Sequence, residues 1–270
     1  MTVVELASYA AVMDLLLQIA RCPNVQACLG SRDRVHDCTE IVLSQGSETL
    51  AEHQVPEPWS GHLEEALLLF LSSNPSIDAS EDNPGDYPRW SWPDHWIADF
   101  FANRFGRGRK PWVRDGLYPL RQDGTHYKEW VRFWAAVRRR AVELLMRDDV
   151  RPGLDYALSE VVHCKSFNEV GVGRALEECA NRYLGGVVCQ AGAQVVVTLG
   201  RFAGDALRRT FQIPQDAAVH GPIQVGDRRR YFAFLPHPNA RRPRSFAKCL
   251  SSEDLRRLQE FLRTGGKGAA

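Results

Sequence analysis

Three short apolar runs set the limits on what this chain can fold into: Leu67–Leu71, Val195–Leu199 and Tyr231–Leu235, each closed by turn-forming residues. Runs of this length read as strands buried on both faces, the pattern of a parallel sheet covered by helices. A fourth segment, Leu158–His163, carries a strand signal with Ser159 and Glu160 inside it. Helical spacing is found at Val4–Ala20, Tyr127–Arg147, Arg174–Leu184 and Arg201–Arg209, and Ser252 caps a last helix through Leu262. This alternation predicts an α/β fold: a three-layer α/β/α sandwich around a mainly parallel, four-stranded sheet. One domain is expected over residues 1–270, with an N-terminal Cys-bearing helical segment, 1–50, and a large helical and loop insertion at about 78–153.

Ligands of open α/β sheets bind at the carboxyl ends of the strands. Two polar loops fall there: Ser72-Ser73-Asn74-Pro75-Ser76 behind the first run, and Pro236-His237-Pro238-Asn239 behind the last. One offers an amide and the other an imidazole.

Composition narrows the class. No stretch approaches the roughly 18 apolar residues of a membrane span, and Met1-Thr2-Val3-Val4-Glu5 lacks the basic flank of a secretion signal, so a cytoplasmic protein is expected. Seven cysteines, an odd number, then point to thiols or metal ligands rather than a disulfide frame. The net charge of +1 is a cancellation: residues 1–100 hold 4 Lys/Arg against 16 Asp/Glu, whereas 201–248 holds 10 against 3. Arg138-Arg139-Arg140, Arg228-Arg229-Arg230 and Arg241-Arg242-Pro243-Arg244 suit a phosphate backbone if the fold gathers them, and are solvated faces if it does not. The stripe Trp130, Phe133, Trp134, Val137, Ala141, Leu144, Leu145 reads as helix core before it reads as a stacking platform.

In their order along the chain, several segments resemble the uracil-DNA glycosylase superfamily. Ser73-Asn74-Pro75-Ser76 resembles the Asn-Pro first motif of the mismatch-specific and single-strand-selective branches. Phe100-Phe101-Ala102-Asn103-Arg104-Phe105 is similar to the mismatch-specific stretch bearing a stacking Phe. Val161-Val162-His163-Cys164-Lys165, with Glu177-Glu178-Cys179 behind it, resembles the iron–sulfur thermophile-type branch, as do Val197–Ala203 and His237-Pro238-Asn239-Ala240-Arg241. The resemblance covers about residues 15–105 and 155–263 and leaves most of the insertion unexplained.

This resemblance implies a monofunctional DNA glycosylase with DNA as its partner; no membrane, no small-molecule cofactor and a monomeric state are expected alongside it. Hydrolysis of an N-glycosidic bond needs a positioned water on one side and hydrogen-bond donors for the departing base on the other. By the resemblance, Asn74 orients the water and His237 donates to the O2 oxygen of the base. A flipped base needs an aromatic partner, assigned to Phe101, with Ser73 beside it. Where uracil-excising relatives read the base with Asn, alignment places Glu160, whose carboxylate suits a cytosine N4 amine; a register one residue off places Ser159 there instead. The favoured substrate is then a modified cytosine such as the glucosylated hydroxymethylcytosine that some superfamily members remove in antiphage defence, with uracil repair as the alternative and a non-catalytic modified-DNA-binding protein as the second. Asn239, Arg241, Arg242 and Arg244 follow as DNA contacts. The resemblance further implies a 4Fe-4S cluster on Cys22, Cys28, Cys164 and Cys179, with Cys38 as a possible substitute, while Cys189 and Cys249 read as ordinary buried thiols.

Overall fold

A computed structural model describes residues 3–30, 36–77, 86–105, 112–121, 123–125, 130–241 and 244–265, with side-chain surroundings from residue 10 onward. The strands are β1 (Trp59–Ser60), β2 (Leu68–Ser72), β3 (Val113–Arg114), β4 (Tyr118–Pro119), β5 (Tyr156–Glu160), β6 (Val195–Leu199), β7 (Val219–Val225) and β8 (Arg228–Leu235). The main helices are α1 (Val3–Ala20), α2 (Pro23–Gly30), α3 (Thr39–Leu43), α4 (Asp94–Asn103), α5 (Arg132–Leu145), α6 (Val172–Cys179), α7 (Gly185–Gln190), α8 (Arg201–Phe211), α9 (Phe246–Cys249) and α10 (Ser252–Arg263). A π-helical stretch, Ala180–Leu184, joins α6 to α7.

The mixed α/β architecture with a mainly parallel sheet is the one expected, but the sheet has six strands where four were predicted, in the order β1-β5-β2-β6-β8-β7. The inner four, β5, β2, β6 and β8, run parallel, and β1 and β7 close the two edges antiparallel. Both edge strands carry weak signals. β1 is two residues long, and β7 is interrupted at Gly221-Pro222 with a register shift between His220 and Ile223, as an edge tolerates and a central strand does not.

Alternation along the inner strands divides the core. Leu69 and Leu71 of β2, with Val196 and Phe232, face a layer built from α1, α2, α6, α7 and α8. Leu68 and Phe70, with Val197 and Ala233, face α5, α9 and α10 through Val137, Ala141, Phe246, Leu258 and Phe261. The insertion thus supplies α5, half of one covering layer. Its helix starts at Arg132, and Tyr127, where helical spacing was read to begin, lies outside the described residues. The aromatic part read as loop holds α4, which turns Ile97, Phe100 and Phe101 inward.

No helix among the described residues is long and apolar enough to cross a membrane. Phe70 is fully buried, and its ring meets the Tyr156 ring edge-on at 6.0 Å. Phe70→Ala is therefore expected to lower stability by about 3–5 kcal/mol, the usual cost of deleting a buried aromatic ring, as measured by chemical denaturation.

Candidate active site

Parallel register brings the carboxyl ends of the inner strands level: Ser72 lies opposite Glu160, and Leu199 opposite Leu235. The loops that leave these ends enclose a cleft of about 1100 Å³. Ser73 and Asn74 reach it from β2, Glu160 and Lys165 from β5 and its loop, and His237 and Asn239 from β8. Across from them stand Trp130, Arg132, Phe133, Trp134 and Arg139 of the insertion.

Asn74 is held by its amide nitrogen, which donates to the Pro75 carbonyl at 2.9 Å and to Ser166 Oγ at 3.0 Å. That leaves the amide oxygen to accept from a water. The loop is pinned further where Ser73 Oγ donates to Glu169 at 3.1 Å and the Ser166 amide donates to the Pro75 carbonyl at 3.2 Å.

His237 is held on both sides. Its Nδ1 accepts the Asn239 amide at 3.2 Å, which places the proton of the neutral ring on Nε2. Burial pulls its pKa below the ordinary 6.5, against the opposing pull of Glu169, so the neutral donor form prevails at pH 7. The Phe133 ring lies nearly parallel to the imidazole, 5.8 Å away with 22° between planes. Gly200, which closes β6, adopts φ +100°, and a Cβ there would come within 3.1 Å of His237 Cβ. Glycine is required for that approach.

Glu160 occupies the floor and accepts a short hydrogen bond from Ser72 Oγ. Burial raises its pKa from 4.5 to about 8; Ser72 and Arg104 pull it down and Glu57 pushes it up. Beside it Glu57 is well partnered: Arg104 Nη1 reaches its carboxylate at 2.5 Å, Ser60 Oγ donates at 3.1 Å and the Tyr87 hydroxyl at 3.3 Å. The Arg104 guanidinium also lies over the Tyr87, Phe100 and Trp134 rings. Lys165, 1% exposed, sets its ammonium 3.7 Å from the centre of the Tyr87 ring.

Several expectations change here. Phe101 is fully buried, edge-on to Tyr87 and Phe100, and is absent from the cleft wall; the helix turns both Phe100 and Phe101 inward. Phe133, Trp134 and Trp130 line the cleft instead, so the stripe read as core also forms cleft wall at its start, where Phe133 and Trp134 pack against the core as well. The register question resolves toward Glu160, because Ser159 Oγ is occupied with the Pro58 carbonyl at 2.6 Å and faces away. Asn239 and Arg244 line the cleft, Arg241 is exposed beside it, and Arg242 lies outside the described residues. Glu57, Arg104, Lys165 and Ser166 were missed. Lys165, next to Cys164, and Arg104, in the Phe100–Phe105 stretch, lay within quoted motifs; Glu57 and Ser166 carried no sequence signal.

A second constellation lies behind the site. Cys22, Cys38, Cys164 and Cys179 line one small enclosed space. Cys28, expected among the ligands, is buried but does not line this space, its sulfur accepting from Thr39 Oγ1 at 3.7 Å, whereas Cys38 does. Two N–H groups point at these sulfurs: Asn24 Nδ2 to Cys38 at 3.7 Å and the His163 amide to Cys179 at 3.5 Å. Among the described residues no three cysteine sulfurs lie within 4.8 Å of one another, whereas tetrahedral zinc draws its thiolates to about 3.8 Å apart. Burial pushes the Cys38 thiol up to about 12, and Cys164 and Cys179 upward too, so as thiolates they need a metal's positive charge. Contrary to expectation, Cys189 is exposed and Cys249 half-buried.

Glu160 makes a prediction about stability. Its folded pKa, about 8, exceeds the ordinary 4.5, so between those values the folded state holds a proton that the unfolded state has lost. Stability conferred by this group is full below about pH 4.5 and is lost as pH rises through about 8. Glu160→Gln should flatten that decline, leaving the variant several degrees more stable than the parent at pH 9 relative to pH 5. Identical Tm–pH profiles would rule out a protonated Glu160. No protein-family model matches the chain and no curated protein matches it in sequence, so the chemistry of the cleft rests on its own residues.

Proposed function

We propose that the protein is a DNA glycosylase of the uracil-DNA glycosylase superfamily that flips a non-canonical pyrimidine into this cleft and hydrolyses its N-glycosidic bond. The observation that carries the reading is the placement of Asn74 and His237 at the ends of β2 and β8, on either side of β6, facing one cleft. One supplies an amide oxygen for water. The other supplies an uncharged Nε2–H for the oxygen of the leaving base, where negative charge develops. A target inside a duplex is out of reach of such a cleft and must be extruded, and Phe133, parallel to His237, is the ring on which it stacks.

Glu160 decides the base. As a carboxylate it accepts from the N4 amine of a cytosine and repels the O4 oxygen of uracil. As a neutral acid it offers a donor and an acceptor and suits either base, which is what supports uracil as a second reading. The favoured substrate is a cytosine bearing a bulky substituent, such as a glucosylated hydroxymethyl group. A volume of about 1100 Å³ at the upper end of ligand pockets leaves room beyond one pyrimidine, and Trp130, Arg132 and Trp134 line that room. Antiphage defence is the setting such a substrate implies.

The cysteines fit a 4Fe-4S cluster held by Cys22, Cys38, Cys164 and Cys179. When bound it would supply a structural cross-link and no step of hydrolysis. Cys22 follows α1, Cys38 precedes α3, Cys164 follows the Glu160 strand and Cys179 ends α6, so the four residues join the N-terminal helices to the loop that carries Lys165 and Ser166.

The test is incubation with matched oligonucleotides carrying uracil, cytosine, hydroxymethylcytosine or its glucosylated form, followed by alkali. Strand breaks at glucosylated hydroxymethylcytosine are expected, falling at least a hundredfold in Asn74→Ala, and the ratio of modified-cytosine to uracil excision should rise between pH 7 and 9 as Glu160 ionises. Breaks without alkali, trapped by borohydride and lost in Lys165→Arg, would replace simple hydrolysis with a lyase. No breaks on any substrate would remove the enzyme reading. For the cluster, anaerobically purified protein should carry about four irons, with Cys38→Ser losing iron and Cys28→Ser retaining it; iron-free parent protein rejects the cluster.

A further inference from the structure

We infer that a basic pocket beside the cleft, between α5 and the segment after β8, grips a backbone phosphate of the DNA strand that carries the target base. This rests on the reading of DNA as substrate, and it assigns to the insertion a contact that the superfamily resemblance does not cover.

The pocket measures about 450 Å³. Arg139 and Arg140 reach it from consecutive positions of α5, and Arg244 and Lys248 from the chain beyond His237; among the described residues no acidic side chain lines it. It shares Ala136, Arg139, Pro238 and Arg244 with the cleft, so a strand whose nucleotide enters one passes directly over the other.

Glu143 organises the cations from behind. Its carboxylate accepts the Phe246 and Ala247 amides at 3.0 and 2.7 Å, holding α9 against α5, and lies 3.3 Å from Arg140. Arg244 Nη1 donates to the Pro238 carbonyl, tying the basic segment to the His237 loop. One carboxylate leaves most of four positive charges uncompensated. The Arg140 pKa is lowered chiefly by its burial; Glu143 opposes that, and Arg139 and Arg244, the nearby cations, add smaller downward pulls. An anion between them relieves that repulsion, and a phosphodiester is the anion a strand entering the cleft must carry past this point.

The test uses Arg139→Ala and Lys248→Ala, both surface changes, in the full chain with thermal melting as a folding control. Binding to a duplex holding one modified pyrimidine is measured against salt, with binding scored independently of excision. Each variant should bind several-fold more weakly, with a log–log salt slope shallower by about 0.9. A methylphosphonate scan around the target should locate one neutral linkage that weakens the parent protein and leaves the Lys248→Ala variant little affected. DNA binding by the parent with unchanged slopes in both variants overturns the pocket and leaves the glycosylase reading standing. Failure of the parent to bind DNA overturns both.

Discussion

The register of the four parallel strands is the constraint on which the rest depends. Side chains alternate with a period of two, so a slip of one residue in β5 exchanges Glu160 for Ser159 at the cleft and sends Leu158 to the wrong core. The slip is prevented on both faces at once. Leu68 and Phe70 require one layer of helices and Leu69 and Leu71 the other, leaving Ser72 and Glu160 as the first polar pair beyond the apolar stretch. The same alignment brings the β2 and β8 loops level. Asn74 and His237 meet across one cleft because the hydrophobic packing beneath them admits no other alignment.

The sheet was legible because its inner strands are buried on both faces and so read as uninterrupted apolar runs. The edges were not, since Trp59–Ser60 is too short to show a period and β7 is half-exposed and broken by Gly221-Pro222. The site divides in the same way. Asn74 and His237 announce themselves by following strands, whereas Glu57 and Arg104 acquire their meaning through an ion pair spanning 47 positions. That Cys38 and not Cys28 lines the small space with Cys22, Cys164 and Cys179 is likewise a fact of space, since both precede or lie within short helices. Phe101 went wrong for the converse reason, because α4 was hidden in a segment rich in Pro and Trp.

The floor of the cleft combines groups that burial alone would not tolerate. Glu57 stays buried because Arg104, Ser60 and Tyr87 all donate to it, while Glu160, which accepts from Ser72, has its pKa raised to about 8 by burial. Arg104 also sits among the Tyr87, Phe100 and Trp134 rings, so the ion pair that fixes the floor is fastened to the insertion.

That fastening has an evolutionary side. Helix α5 covers one face of the sheet with Val137, Ala141 and Leu144 and, a turn earlier, forms the cleft wall with Phe133 and Trp134. An insertion that only decorated the fold would be free to lengthen, shrink or vanish as targets changed. This one is bound to the core. The wall positions that do not also close the hydrophobic layer, Trp130 and Arg132, are the ones that can change without disturbing the core, whereas Phe133 and Trp134 serve both.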